Sequence, residues 1–231
     1  KTVKNIKKKI LAITLARGNS KGIKKKNIIS LCNRPLIFYT ISEALKSKFI
    51  NDYIVSTDNL EIKKIATKYG ASVPFIRPKQ LAKDTSSSVL ALQHAVNFME
   101  NKNKIQYDYI IELMATNPLK THEDIDSCIK KLLTTRADSV IAVHNLEDHH
   151  PARIKKIVND KIIDFCVPEK KESRRQDLKP KAYIRSGSIY ALDRNYLMSR
   201  SERYGSDNSR PYILPPERAI NIDTEADIYL A

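Results

Sequence analysis

The stretch ARGNSKGIKKKN, residues 16 to 27, brings Arg17, Lys21 and Lys26 together with Gly18 and Gly22, two of the five glycines in the chain, directly behind the apolar run ILAITL. Cationic side chains beside glycine-permitted backbone amides are suited to anion binding, because the amides donate to phosphate oxygens and the cations neutralise them. Neither familiar phosphate-loop spacing is present. The loop is not G-x-x-x-x-G-K-[ST] and not G-x-G-x-x-G, so P-loop and dinucleotide-binding assignments fail at this point. A solvated basic turn is the plain alternative.

Other residues of chemical interest are scattered. His149 and His150 are general bases or metal ligands by type, but neighbours on a strand face opposite sides, and packing or loop ordering accounts for them as well. The run DTSSS, residues 84 to 88, is rich in residue types that cap helices. Cys32, Cys128 and Cys166 are odd in number and far apart, which speaks against a disulfide framework or a zinc site and predicts buried, reduced thiols.

The 231 residues suffice for one substantial core, and a single α/β domain spanning 1–231 is expected. Lys and Arg number 41 against 26 Asp and Glu, a formal charge of +15. That excess attracts polyanions and leaves a non-catalytic nucleic-acid binder open. The basic residues are spread along the whole chain, however, and favour small anionic substrates over specific nucleic acid. No apolar run reaches eighteen residues, and the basic N-terminal stretch lacks a small-residue cleavage site, so the expectation is a soluble cytoplasmic protein with no membrane partner.

Elements that would position the loop alternate along the first two-thirds of the chain. Strand-like runs occupy 9–16, 53–57, 72–77, 107–115 and 138–144. Helical spacing follows Pro35, recurs from Ile62 to Tyr69 and from Ser87 to Met99, and opens again at Thr121 with a capping-box pattern. This alternation predicts a mostly parallel sheet with helices on both faces. From about 145 to 190 the grammar becomes β-rich: an Asn-Asp turn predicts a hairpin over 153–167, a polar loop covers 168–181, and a strand covers 182–192. A short helix and a polar loop containing ERYGSDNSRP come next. The closing RAINIDTEADIYLA reads as a strand giving way to a helix capped by Thr224.

The first loop resembles the A-R-x-x-S-K-G-x-x-x-K-N signature of the acylneuraminate cytidylyltransferases, and the likeness continues in the family's order. STDN (56–59), RPKQLAKDTSSS (77–88), LMATNPLK (113–120), HHPAR (149–153), RSGSIY (185–190) and INIDTEAD (220–227) are similar to its later blocks, the third of these to L-Q-P-T-S-P-L-R. The resemblance implies a Rossmann-like nucleotidyltransferase fold with a small inserted β-rich dimerisation or lid region. It implies an enzyme in which the anomeric hydroxyl of a nonulosonic acid attacks the α-phosphorus of CTP, giving a CMP-sugar and pyrophosphate. A nucleotidyltransferase for another sugar or sugar acid is the alternative.

On the same basis Arg17, Gly18, Asn19, Ser20, Lys21, Gly22, Lys26 and Asn27 would bind the nucleotide, with Arg17 and Lys26 also catalytic. Arg77, Ser86 and Ser87 would face the pyrimidine, with Asp84 orienting their loop; helix capping remains an equal reading for each serine. Met114, Thr116, Asn117, Arg153, Arg175, Tyr183 and Arg185 would meet the sugar acid, whose carboxylate suits an arginine fork. Met114 departs from the family's glutamine and favours a modified nonulosonate such as legionaminic or pseudaminic acid. Mg²⁺ is the implied cofactor, held by Asp223, which is also counted as catalytic; Asn221 replaces the other acid of the usual D-x-D pair, and Asp227 reads as a capping partner. No general base emerges, which leaves that role to a metal-bound or substrate-bound water. A homodimer in which the 145–190 excursion reaches the partner is expected.

Overall fold

The computed structural model describes residues 8–20 and 22–231. In chain order the strands are β1 (Ile10–Leu15), β2 (Ser30–Leu31), β3 (Arg34–Pro35), β4 (Asp52–Ser56), β5 (Tyr109–Leu113), β6 (Ser139–Asn145), β7 (Lys155–Val158), β8 (Lys161–Asp164), β9 (Tyr183–Asp193) and β10 (Ser209–Ile213). The helices are α1 (Leu36–Lys46), α2 (Leu60–Lys68), α3 (Ser88–Asn103), α4 (His122–Thr135), α5 (Arg194–Arg200) and α6 (Glu225–Leu230).

β1 is apolar on both faces because both are covered. Ile10 and Ala12 pack with Ile37 and Ile41 of α1, Ile62 of α2 and Ile129 of α4, whereas Leu11 and Ile13 pack with Leu92 and Val96 of α3 and Leu197 of α5. A buried parallel strand has this continuous apolar character, in contrast to the alternation of a half-exposed one. The main sheet runs β10-β6-β9-β5-β1-β4. β1 pairs in parallel with β4 and β5, and β6 with β10, while β9 lies antiparallel between β5 and β6. The C-terminal ends of β1, β4 and β5 therefore share one edge, where α/β sheets present loops to ligands.

Local chemistry explains the helix starts. The Asn59 side chain accepts from the amides of Glu61 and Ile62, Thr121 and Asp124 form a reciprocal capping box, and Thr224 with Asp227 forms another. The Asn-Asp hairpin turn forms at Asn159 and Asp160, both with positive φ, between β7 and β8.

Three expectations need correction. The run 72–77 makes only an isolated bridge from Ser72 to Ile54, because Pro74 and Pro78 lack the N–H a ladder needs. A strand forms instead within the polar stretch 209–213, at the sheet edge, where Pro211 is tolerated; the segment before α6 is not a strand. Of the cysteines only Cys128 is buried. Cys32 is exposed at the β2–β3 turn with φ 46°, and Cys166 is exposed just beyond β8. Among the described residues no helix is long and apolar enough to cross a membrane.

Candidate active site

The loop after β1 is pinned from three sides. The amide of Ala16 donates to the Ser56 carbonyl (3.0 Å), that of Gly18 donates to Asp58 Oδ1 (2.8 Å), and the buried Asn27 side chain donates to the Arg17 carbonyl (3.0 Å). Gly22 is required by close approach: a Cβ there would sit 2.7 Å from the Asp223 carbonyl oxygen. The loop thereby abuts the far end of the chain. Lys26 Nζ lies 2.7 Å from Asp223 Oδ1, and Arg17 lies 2.5 Å from Asp84 Oδ1.

These groups border a cleft of about 660 Å³. Arg17, Ser20, Gly22, Lys26 and Asn27 of the first loop line it, together with Arg77, Ser86 and Ser87. Met114, Thr116, Asn221 and Asp223 also line it. Gly18 and the exposed Asn19 do not, and Lys21 lies outside the described residues.

Arg77 is buried, with its guanidinium bonded to the Ser56 carbonyl and hydroxyl and its own amide bonded to the Thr57 carbonyl. Burial brings its pKa down to about 10; Asp58 opposes the shift, and the nearby Arg17 charge adds to it. The capping reading holds for Ser87, which accepts from the Val89 amide at the start of α3, and Ser86 closes its turn on the Gln80 carbonyl.

The proposed sugar contacts divide. Asn117 is fully buried behind the cleft; its amide donates to the Ile220 carbonyl (2.7 Å) and accepts from Ser188 Oγ (2.7 Å), so it shapes the wall and does not face a ligand. Arg153 pairs with Asp148 and Glu169, and Arg175 pairs with Glu147 beside a separate cavity of about 470 Å³. Arg185 stacks on Tyr204, and Tyr183 is exposed at the base of the excursion. One chain does not bring these four to the cleft. His150 is buried and orders its loop: Nε2 donates to the Pro180 carbonyl and Nδ1 accepts from the Ala152 amide. His149 is exposed.

The cytidylyltransferase family pattern matches residues 11–204, which takes in the first loop, the Arg77 segment and the turn after β5. The chain belongs to that family. Among its relatives, pseudaminic acid cytidylyltransferase of Campylobacter jejuni subsp. jejuni serotype O:23/36 (strain 81-176) is 34% identical over 96% of this chain and 94% of that protein. CMP-N,N'-diacetyllegionaminic acid synthase of Campylobacter jejuni subsp. jejuni serotype O:2 is 31% identical over 94% of this chain and 91% of that one. Among solved structures, CMP:2-keto-3-deoxy-manno-octonic acid synthetase complexed with CTP superposes with a TM-score of 0.68 at 18% identity, over 96% of this chain and 95% of that one. That likeness establishes the nucleotidyltransferase fold.

Sequence reasoning missed Glu112 and Lys120 and gave Asn221, noted beside Asp223, no role of its own. Glu112, in the middle of the apolar strand β5, is buried on the cleft floor. Burial raises its pKa, and Arg203 at 2.8 Å opposes that. Its Oε1 has no hydrogen-bond partner among the described residues. Asn221 likewise has a buried, unpartnered Oδ1, while its Nδ2 donates to Asp223 Oδ2 (2.5 Å). Lys120 is buried beneath the turn after β5. The available signal for Glu112 was a lone acid inside YIIEL; only the tertiary partner Arg203 reveals its burial.

Proposed function

We propose that this cytidylyltransferase transfers CMP from CTP to a nonulosonic acid of the pseudaminic or legionaminic kind and releases pyrophosphate. The observation that carries the reading is the Lys26–Asp223 contact at the cleft edge, which joins the cationic loop to the carboxylate that the reaction needs nearby. The names of the two Campylobacter relatives support the acceptor class, and Met114 at the position of the family's glutamine fits an acceptor other than sialic acid itself.

Such a transfer depends on positioning and charge neutralisation more than on a protein nucleophile. Arg17 and Lys26 hold the triphosphate, exchanging their present carboxylate partners for phosphate oxygens. Arg77, Ser86 and Ser87 border the side where the base rests, and Met114 and Thr116 border the acceptor side.

The donor set fits Mg²⁺, which prefers oxygen ligands: the Asp223 carboxylate lines the cleft, and Asn221, whose Nδ2 bonds that carboxylate, has an unpartnered Oδ1. Those two residues would hold the ion, which when bound polarises the phosphoryl oxygens. The group Glu43, His122 and Glu123, whose donor atoms also lie within 4.8 Å of one another, does not line the cleft and is assigned no part in this.

A second copy of the chain completes the acceptor side. On β7 and β8, Ile157 and Ile162 are paired across the hairpin and are 76% and 74% exposed, with Phe165 just beyond them also exposed, an apolar surface of the kind that marks an interface. Seated on a partner, the excursion would deliver Arg153, Arg175, Tyr183 or Arg185 to the partner's cleft. Thermal unfolding with each of the four nucleoside triphosphates and Mg²⁺ tests the nucleotide: CTP should stabilise most. A preference for UTP or dTTP would point to a nucleotidyltransferase for another sugar.

A further inference from the structure

We propose that Lys120 is a positioning residue for the acceptor side of the cleft: its buried ammonium holds the turn after β5 in the shape that presents Met114 and Thr116. The proposal rests on the reading that those two residues face the acceptor. Lys120 is 2% exposed, and Nζ donates to Thr40 Oγ1 (2.8 Å), the Met114 carbonyl (2.7 Å) and the Asn117 carbonyl (2.5 Å). An ammonium has three donors, and three oxygens are supplied.

The same turn is the hub of the site. The Met114 amide donates to the Ser188 carbonyl of β9 (3.0 Å), and the Ile222 amide donates to the Thr116 carbonyl (2.8 Å). Asn117 ties Ile220 and Ser188 to it. Lys120 therefore braces both the acceptor wall and the segment that ends in Asp223. A buried charge is a costly brace compared with apolar packing, so fold stability alone does not account for it.

The charged groups facing it are Glu43 on α1, itself bonded to Lys46 and His122, and Asp124 on α4, bonded to Arg218 and Tyr212. Burial lowers the Lys120 pKa from its ordinary value, while Glu43 and Asp124 act to raise it. The amine therefore forms at lower pH than for an exposed lysine. A neutral amine has two donors for three oxygens, so the brace weakens as pH rises. Arginine, which stays charged, would not titrate, and the L-Q-P-T-S-P-L-R block that this segment resembles ends in arginine.

The test is steady-state kinetics of the full chain with CTP, Mg²⁺ and the accepted nonulosonate from neutral to alkaline pH, for wild type, Lys120→Arg, Lys120→Met and Met114→Ala, with CTP affinity measured by calorimetry. Lys120→Met should raise the acceptor KM and lower kcat/KM about tenfold or more, as expected when a buried carbonyl loses its donor, with the CTP Kd unchanged within about twofold. Lys120→Arg should keep the acceptor KM and lose the alkaline fall in activity. An arginine variant that retains the wild-type alkaline limb overturns the proposal, as does a folded methionine variant whose acceptor KM is unaltered or whose CTP Kd rises equally. If Lys120→Met does not fold, the arginine profile decides. An unchanged acceptor KM in Met114→Ala removes the underlying reading, whereas an effect there with none at Lys120 removes only the brace.

Discussion

Lys26 and Asp223 stand 197 residues apart in the chain and 2.7 Å apart in the fold. The lysine side chain is 15% exposed and the aspartate 64%, so the pair is partly wet, and exposed pairs contribute about 0–1 kcal/mol to stability. Its importance in the proposed reaction lies in the triphosphate that Lys26 would hold and the cation that Asp223 would hold. Lys26→Ala and Asp223→Asn should each lower kcat/KM by about a hundredfold or more, the scale seen when a charge-stabilising group is removed from an active site. Pyrophosphate release measures the loss, and an unchanged far-ultraviolet circular dichroism spectrum shows the fold intact.

Gly22 is the second contact between the same two segments. A methyl group there would meet the Asp223 carbonyl oxygen at 2.7 Å, and that oxygen belongs to the backbone, so the two segments must shift apart. Gly22→Ala should therefore push the cationic loop away from Asp223 and lower kcat/KM about tenfold or more, while thermal stability changes little. Full activity in this variant would mean that the two segments need not touch.

How much of this was legible in the sequence depended on whether a residue's surroundings are local. The apolar runs of β1, β4, β5 and β6, and the capping boxes at Thr121 and Thr224, carry their own signal. β10 does not, since SRPYI mixes Arg210 and Pro211 into an edge strand that only pairing with β6 defines. In the site, Arg17, Gly22 and Lys26 advertise themselves by type and spacing. Glu112 and Lys120 are charged residues whose burial is made tolerable by a distant arginine and by turn carbonyls, and neither partner can be read from neighbouring letters. The arginines at 153, 175 and 185 were named from motif order, and none of them lines the cleft of its own chain.

Acid should destabilise the fold through Asp124. Burial on its own would raise its pKa, but the Arg218 guanidinium, the Thr121 amide and the Tyr212 hydroxyl outweigh that and hold the carboxyl below its ordinary value. A carboxylate lowered in this way contributes stability that is present above its unfolded pKa, about 3.9, and lost as pH falls through the lower folded value. Asp124→Asn should cost about 1–3 kcal/mol at neutral pH, because its charge-assisted hydrogen bonds are weakened while Arg218, 36% exposed, stays partly solvated, and should flatten the acid limb of stability against pH. Urea unfolding followed from neutral to acid pH measures both effects.

The hairpin pair Ile157 and Ile162 tests assembly. Ile157→Asp or Ile162→Asp places a charge on a surface that would be buried between copies, and light scattering after size exclusion should shift from dimer to monomer. Under the proposed arrangement, in which a partner's excursion supplies acceptor-side residues, acceptor KM should rise in the same variants while CTP affinity holds. A wild-type protein that is monomeric at micromolar concentration would contradict the arrangement.

The most direct measurement is pyrophosphate release by the purified protein with CTP and Mg²⁺ against a panel of pseudaminic, legionaminic and N-acetylneuraminic acids, with the sugar nucleotide identified by mass spectrometry. The account predicts turnover with pseudaminic or legionaminic acid ahead of N-acetylneuraminic acid, and a CMP-sugar as product. Folded protein that releases no pyrophosphate with any of the three, or that turns over equally well with UTP, would contradict it.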